Sequence, residues 1–354
     1  MTIALPTATD RPAKIARLRG ILDAHHTTAL SLTRPESLSW LFDGARVAVP
    51  YGGPAVCTAV VRRDGECVVV APANEADRLR AEEFGDDVEV RAVPWWHPLP
   101  DAEPGTLRED DHLPELRAAR AVLLPLERTR YERLGAETAH AVGDELRRAH
   151  PGEREQDLAA RLAAAVMRLG AEPVVILVAG GERTGIPHPL PTEAPLGRRA
   201  MAVVGARRHG LVVNLTRWVS FGTDASGAPS AIEAALLEVE ADAFAATLPG
   251  RPMHAVLSDI ARSYERHGFG AEAWLRHHQG GPTGYLGRDP KATPHVDDVV
   301  HAGQAFAWNP WVPGAKLEDT VVIDGAGIQV LTFDPSWPAA DVRGVPRPLT
   351  LSLD

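Results

Sequence analysis

The chain has 354 residues, 45% of them hydrophobic, which exceeds the usual span of one core and excludes a disordered or low-complexity protein, so two domains are expected. Its formal charge is −10 with a pI near 5.8, and acidic and basic residues are interspersed, which argues against a nucleic-acid partner and against an anionic membrane surface. No window approaches about eighteen consecutive apolar residues, and residues 1–19 lack the apolar core of a signal peptide, so a cytoplasmic protein is expected.

In chain order, Ile15, Leu18, Ile21 and Leu22 fall on one face of a helix predicted over 13–24, and His25-His26 at its end reads as a solvated pair favoured by the helix dipole. Residues 28–32 read as a strand, 37–41 as a short helix, and 55–62 with 66–71 as a hairpin across Arg63-Asp64-Gly65. Cys57 and Cys67, the only two cysteines, lie in those runs without zinc spacing and read as buried thiols. The Pro- and Trp-rich stretch 93–104 and the acidic run Glu109-Asp110-Asp111 predict irregular chain, with a domain boundary near residue 128. Beyond it come helices over 129–150 and 153–169, strands at 174–179, 200–206 and 211–215, helices over 231–248 and 253–267, and a last group of strands. Paired helices alternating with antiparallel hairpins fit an α+β architecture. Trp40, Trp95, Trp96, Trp308 and Trp311 read as core or as pocket wall, and Gly180-Gly181 and Gly280-Gly281 as turn or close-approach glycines outside any phosphate-loop pattern.

Three late segments carry the chemistry: His277-His278-Gln279-Gly280-Gly281-Pro282-Thr283-Gly284-Tyr285, Trp308-Asn309-Pro310 and Lys316-Leu317-Glu318-Asp319-Thr320. With Val203 and Asn214, eleven positions apart, they resemble the pita-bread family of Xaa-Pro aminopeptidases, prolidases, methionine aminopeptidases and creatinase. The resemblance implies a small α/β creatinase-type N-terminal domain over 1–128, which includes the run from Arg34 to Leu41, and a pita-bread domain over 129–354. It also implies a homodimer.

In the family, two Asp, one His and two Glu hold a pair of divalent cations. The matching positions here hold Val203, Asn214, His278, Asn309 and Glu318, so the anionic charge falls from four carboxylates to one. Two dications are not expected on such a set, because neutral amide oxygens are poor partners for a hard cation without accompanying carboxylates. The expectation is therefore no cofactor, the alternative being one divalent ion on His278 and Glu318. The losses keep hydrogen-bonding capacity while removing charge, which suggests a repurposed polar site.

His188, in Pro187-His188-Pro189, matches the family's substrate-facing histidine, and an imidazole can move protons without a metal, as the resemblance to creatinase implies. Tyr285 stands where aminopeptidases of the family carry a second histidine, and either donates to an oxyanion or closes the pocket wall. His277 and His278 in an extended strand point to opposite faces, so only one should enter the site, and the register selects His278. Arg217 either binds a substrate carboxylate or makes an internal ion pair, and Glu318 either serves the site or pairs with Lys316 or an arginine.

The leading expectation is an enzyme that hydrolyses a small polar amide- or amidine-like C–N bond in a small molecule or short peptide. His188 is its acid and base, His278 and Glu318 orient substrate or water, and Asn214, Asn309 and Tyr285 supply hydrogen bonds. The alternatives are a silent pseudo-peptidase that binds a peptide or metabolite, and a mononuclear metal-dependent Xaa-Pro aminopeptidase.

Overall fold

The computed structural model describes residues 9–100, 105–222, 229–325 and 327–353. The chain divides into two compact units, Met1–Arg130 with His209–Leu211, and Tyr131–Arg208 with Val212–Asp354. Among the described residues no helix is long and apolar enough to cross a membrane.

The first unit runs α1 (Arg11–Ala24), β1 (Ala29–Leu32), α2 (Pro35–Leu41), β2 (Thr58–Arg62), β3 (Cys67–Pro72), α3 (Ala73–Arg78), β4 (Glu89–Val93), β5 (Leu107–Arg108) and α4 (Leu113–Ala121). Its sheet has the order β4-β3-β2-β1-β5, with β1, β2 and β3 antiparallel and both edge strands parallel to their neighbours. α1 buries Lys14 together with Leu18, Ile21 and Leu22. The buried ammonium is matched by Asp43 at 2.7 Å and Glu127 at 3.1 Å, which satisfies a charge that could not otherwise leave water. His25 is hydrogen-bonded to Glu115 at 2.9 Å and stands at 4.4 Å from the His112 ring, so it is not simply solvated. The acidic run forms a 3-10 turn in which buried Glu109 accepts the backbone N–H groups of Thr33 and Arg34, at the start of α2. Trp40 is buried, whereas Trp95 and Trp96 are 70% and 68% exposed in the irregular stretch after β4. Cys57 and Cys67 are free and buried, and burial pushes their thiols up to about 12 and about 11.

α5 (Pro125–Leu146) leads into the second unit, which continues with α6 (Glu155–Arg168), β6 (Glu172–Gly180), β7 (Arg199–Arg208), β8 (Leu211–Phe221), α7 (Ala231–Ala246) and α8 (Met253–Arg266). The short strands follow: β9 (Gly280–Thr283), β10 (Gln304–Trp308), β11 (Trp311–Val312), β12 (Ala315–Lys316), β13 (Val321–Asp324), β14 (Gly327–Val330), β15 (Ala339–Val342), β16 (Val345–Pro348) and β17 (Leu351–Leu353). Two four-stranded sheets result, β17-β8-β7-β6 and β14-β13-β10-β9. α8 places Met253, Val256, Leu257, Ile260 and Tyr264 on one stripe, and this packs with α7, Phe306, Trp308 and Val321 into the main core of the unit. Each such buried aliphatic side chain contributes about 1.5–3 kcal/mol. α7 starts on a capping box in which Ser230 and Glu233 satisfy one another's backbone N–H groups. β8 extends to Phe221, well beyond the apolar run 211–215, because polar Asn214, Thr216 and Arg217 are buried with hydrogen-bond partners.

Candidate active site

A 3-10 turn at Ala273–Arg276 delivers His277 and His278 just ahead of β9. Gly280 and Gly281 then adopt φ of +98° and +138°, and a Cβ on Gly280 would stand 2.1 Å from the Ala307 carbonyl oxygen of β10. Only glycine allows β9 to lie this close to its neighbour. His188 comes from the loop after the 3-10 turn Gly181–Gly185, and its Nε2 stands 3.1 Å from His277 Nε2. The rings of His277 and His278 stack at 4.5 Å, and His188 lies 5.3 Å from His278. The expectation that only one of the adjacent histidines enters the site is therefore corrected. The pair precedes β9, so the alternation of a pleated strand does not apply to it.

The three imidazoles line an open cleft of about 630 Å³ together with Ile186, Trp274 and Thr293. His188 is exposed by residue area, yet its Nε2 edge is turned against His277, and burial of that edge with nearby Lys316 lowers its pKa. Burial and the Lys316 charge lower His277, while burial with Arg288 and Lys291 pushes His278 down to about 3. All three rings are neutral at pH 7. Lys316 is 2% exposed, burial pulls it down to about 8, and its Nζ donates to Pro187 O at 3.3 Å and lies 3.4 Å from His277 Nε2. An ammonium aimed at that nitrogen favours the tautomer in which it accepts, with the proton between the two rings on His188 Nε2. In that tautomer the proton of His277 is on Nδ1, a buried atom without a hydrogen-bond partner.

A second group lies around Glu318, in the connection between β12 and β13. Its Oε2 accepts from Thr216 Oγ1 at 3.2 Å, and its Oε1 is ion-paired with the Arg288 guanidinium. Thr216 and Asn214 share one face of β8, where Asn214 Nδ2 donates to Thr283 Oγ1 at 3.3 Å. Asn309 is 2% exposed and its backbone N–H donates to Gln279 O, while its Oδ1 has no partner. Tyr285 is buried.

Arg217, one residue beyond Thr216, projects from the opposite face of β8. There it pairs with Asp319 at 2.9 Å and donates to Thr332 O at 2.6 Å, and Asp319 also meets Arg347 at 3.0 Å. Arg347 in turn grips Glu240 through two bonds of 2.6 Å. Of the two readings of Arg217, this arrangement is the internal ion pair and not the substrate-binding one, because its fork is used inside the protein.

A model of metallopeptidase family M24 matches residues 131–325, a span that contains every residue of both groups. The chain belongs to this family. The fold is the pita-bread fold of family M24, preceded by a smaller α/β domain. Among solved structures it resembles the dipeptidase PepE of Mycobacterium ulcerans, with a TM-score of 0.74, 19% identity and coverage of 97% of this chain and 98% of that one. It also resembles the X-Pro aminopeptidase of Thermotoga maritima, with a TM-score of 0.73, 18% identity and coverage of 96% and 99%. A third likeness is the N-terminal domain of a FACT complex subunit from Cicer arietinum, with a TM-score of 0.64, 14% identity and coverage of 92% and 97%. At these identities the likeness is one of fold. No curated protein matches the sequence.

The residues present do not fit the M24 pair of cations. Val203 packs in an apolar cluster with Leu177, Met201 and Trp218, Asn214 is engaged with Thr283, and the one remaining carboxylate, Glu318, already holds a guanidinium. The ring nitrogens of His188, His277 and His278 lie within 4.8 Å of one another, a spacing that could suit a single imidazole-bound dication. The Lys316 ammonium beside His277, with Arg288 and Lys291 beyond, opposes a further positive charge there.

Sequence reasoning missed His277, Arg288 and Lys316 as parts of this site. The signal available was charge: Lys316 stands two residues before Glu318, and Arg288 and Lys291 follow closely on Tyr285, but no spacing rule marks them.

Proposed function

We propose that this M24 chain is a hydrolase of a small polar amide- or amidine-like C–N bond that works without the family's pair of cations, with His188 as general acid and base. The observation that carries this reading is the His188–His277 hydrogen bond at the wall of an open cleft, both rings being neutral at pH 7. With its Nε2–H donating a hydrogen bond to His277, His188 offers the Nδ1 lone pair to a water molecule. As the water oxygen adds to the scissile carbon, its proton passes to that nitrogen, and His277 steadies the imidazolium by accepting the opposite N–H. The lowered pKa of His188 makes the imidazolium a ready donor to the leaving nitrogen. Arg288 and Lys316 favour the negative charge that develops on the former double-bonded atom. In this reading His278 and Glu318 orient substrate or water, and Asn309, through its free Oδ1, Asn214 and Tyr285 supply hydrogen bonds.

A homodimer in the cytoplasm is part of the same reading, supported by the family and by two free buried thiols that suit a reducing compartment. Sedimentation at micromolar concentration tests the dimer. A second reading, a binding protein without turnover, is favoured by the absence of carboxylates at positions 203, 214 and 309 of the matched M24 ligand set.

The deciding experiment screens dipeptides, N-acyl amino acids and guanidino acids for hydrolysis in the presence of a chelator. Turnover that persists with chelator and falls by about 10²–10⁴-fold in His188→Ala supports the hydrolase. Ligand binding without turnover in the wild-type chain would transfer the assignment to the second reading.

A further inference from the structure

Glu318 is the last carboxylate at the positions matched to the M24 ligands, and a cation of the protein's own already faces it. The Arg288 side chain is only 9% exposed, its guanidinium meets Glu318 Oε1 and the Gly287 carbonyl, and its Nε is buried without a partner. The surrounding polar residues are neutral: Thr216 on the other Glu318 oxygen, Asn214 on the same face of β8, and Asn309 with an unused Oδ1. Lys316 is also buried, with Pro187 O and His277 as its contacts. Asp319, the nearest other carboxylate in sequence, is turned to Arg217 and Arg347. Two buried cations therefore stand against one carboxylate, an arrangement in which a further dication would meet repulsion and too few anionic ligands.

We propose that Arg288 is the built-in cation of this site: its guanidinium holds the place against Glu318 that a divalent ion holds in the dinuclear members of the family, and so keeps such ions out. The metal requirement has been replaced by a side chain. The inference rests on the ion pair and its neutral surroundings, and does not depend on the hydrolase reading.

Manganese(II), a hard cation that prefers oxygen ligands and is read directly by electron paramagnetic resonance of the free ion, is the probe. The full chain, stripped of metals by dialysis, is titrated as wild type, Arg288→Ala, Arg288→Met, Arg288→Lys and Arg288→Ala/Glu318→Gln, each checked for folding by circular dichroism. The wild type and Arg288→Lys should bind no manganese below millimolar concentration. Arg288→Ala should bind one ion at least tenfold more tightly than wild type, and the double variant should lose it. Arg288→Met, which keeps the volume and removes the charge, stands in if Arg288→Ala does not fold. Stoichiometric micromolar binding by the wild type, or no gain in either charge-removing variant, overturns the proposal. Failure to find any hydrolysis counts against the proposed function alone and leaves the manganese result standing.

Discussion

Lys316 keeps its ammonium in a place where water cannot follow, and its pKa falls from 10.5 to about 8 as a result. Between those values the unfolded chain holds a proton that the folded chain has released, so stability should rise as pH increases from about 8 to 10.5. Lys316→Met should flatten that slope and raise stability at pH 7 by about 1–4 kcal/mol, because an apolar side chain of similar volume carries no desolvation cost. Urea denaturation at pH 7 and pH 10 measures both. Activity should fall in the same variant, since the positive charge that favours an anionic transition state is gone. Glu318→Gln acts in the opposite sense. It leaves the Arg288 guanidinium buried without its carboxylate and should cost about 3–5 kcal/mol, whereas Arg288→Met/Glu318→Leu together should cost far less, a coupling that a double-mutant cycle reads directly.

At the scale of elements, the site depends on how closely β9 lies against β10. Gly280→Ala places a methyl group into the Ala307 carbonyl at a backbone conformation that L-residues avoid, so about 3 kcal/mol of stability should be lost. The stacked His277–His278 pair should be displaced with it. Thermal unfolding and the histidine ring signals in NMR check the two effects. The same region shows what periodicity can and cannot convey. α1, α6 and α8 stand where 3.6-residue spacing of Leu, Ile and Val placed them, since each buries one stripe against the core of its own unit, and α7 stands where its apolar run placed it. β4 gave no such signal, because its Glu89-Val90-Arg91-Ala92-Val93 is a largely exposed edge strand. α4 follows an acidic turn and opens with proline near its first turn, which reads locally as irregular chain. For the site, His188, His278 and Glu318 are picked out by the resemblance of their segments to the family, not by any local pattern of their own. The entry of His277 depended on a 3-10 turn, and the Arg288–Glu318 pair depended on a tertiary approach between loops thirty residues apart, neither of which any local pattern encodes.

For the molecule as a whole, the groups with lowered pKa set the acid side as the weak one. His188, His277 and His278 all titrate below 6.5 in the fold, so the unfolded chain takes up protons first as pH falls through 6.5. Asp43, Glu233 and Asp334, held down by cationic and hydroxyl partners, add a further loss once pH drops below the ordinary carboxylate range. Buried Glu109 and Glu240 are raised and work the other way. Calorimetry should show Tm falling by about 5 °C or more between pH 6.5 and 5, with most of that first step removed in His277→Gln/His278→Gln. The C-terminal strands impose an order of events of another kind. β17 pairs in parallel with β8, residue Leu351 beside Val219, and Arg347 supplies the link between Glu240 and Asp319, the neighbour of Glu318. On the ribosome, β8 emerges more than a hundred residues before its parallel partner, and Glu240 waits 107 residues for Arg347. The first unit, whose strands are all made within residues 29–108, can assemble during synthesis. The second completes its sheet only when its last strand has been translated, so a stalled or truncated chain leaves the second unit unfinished.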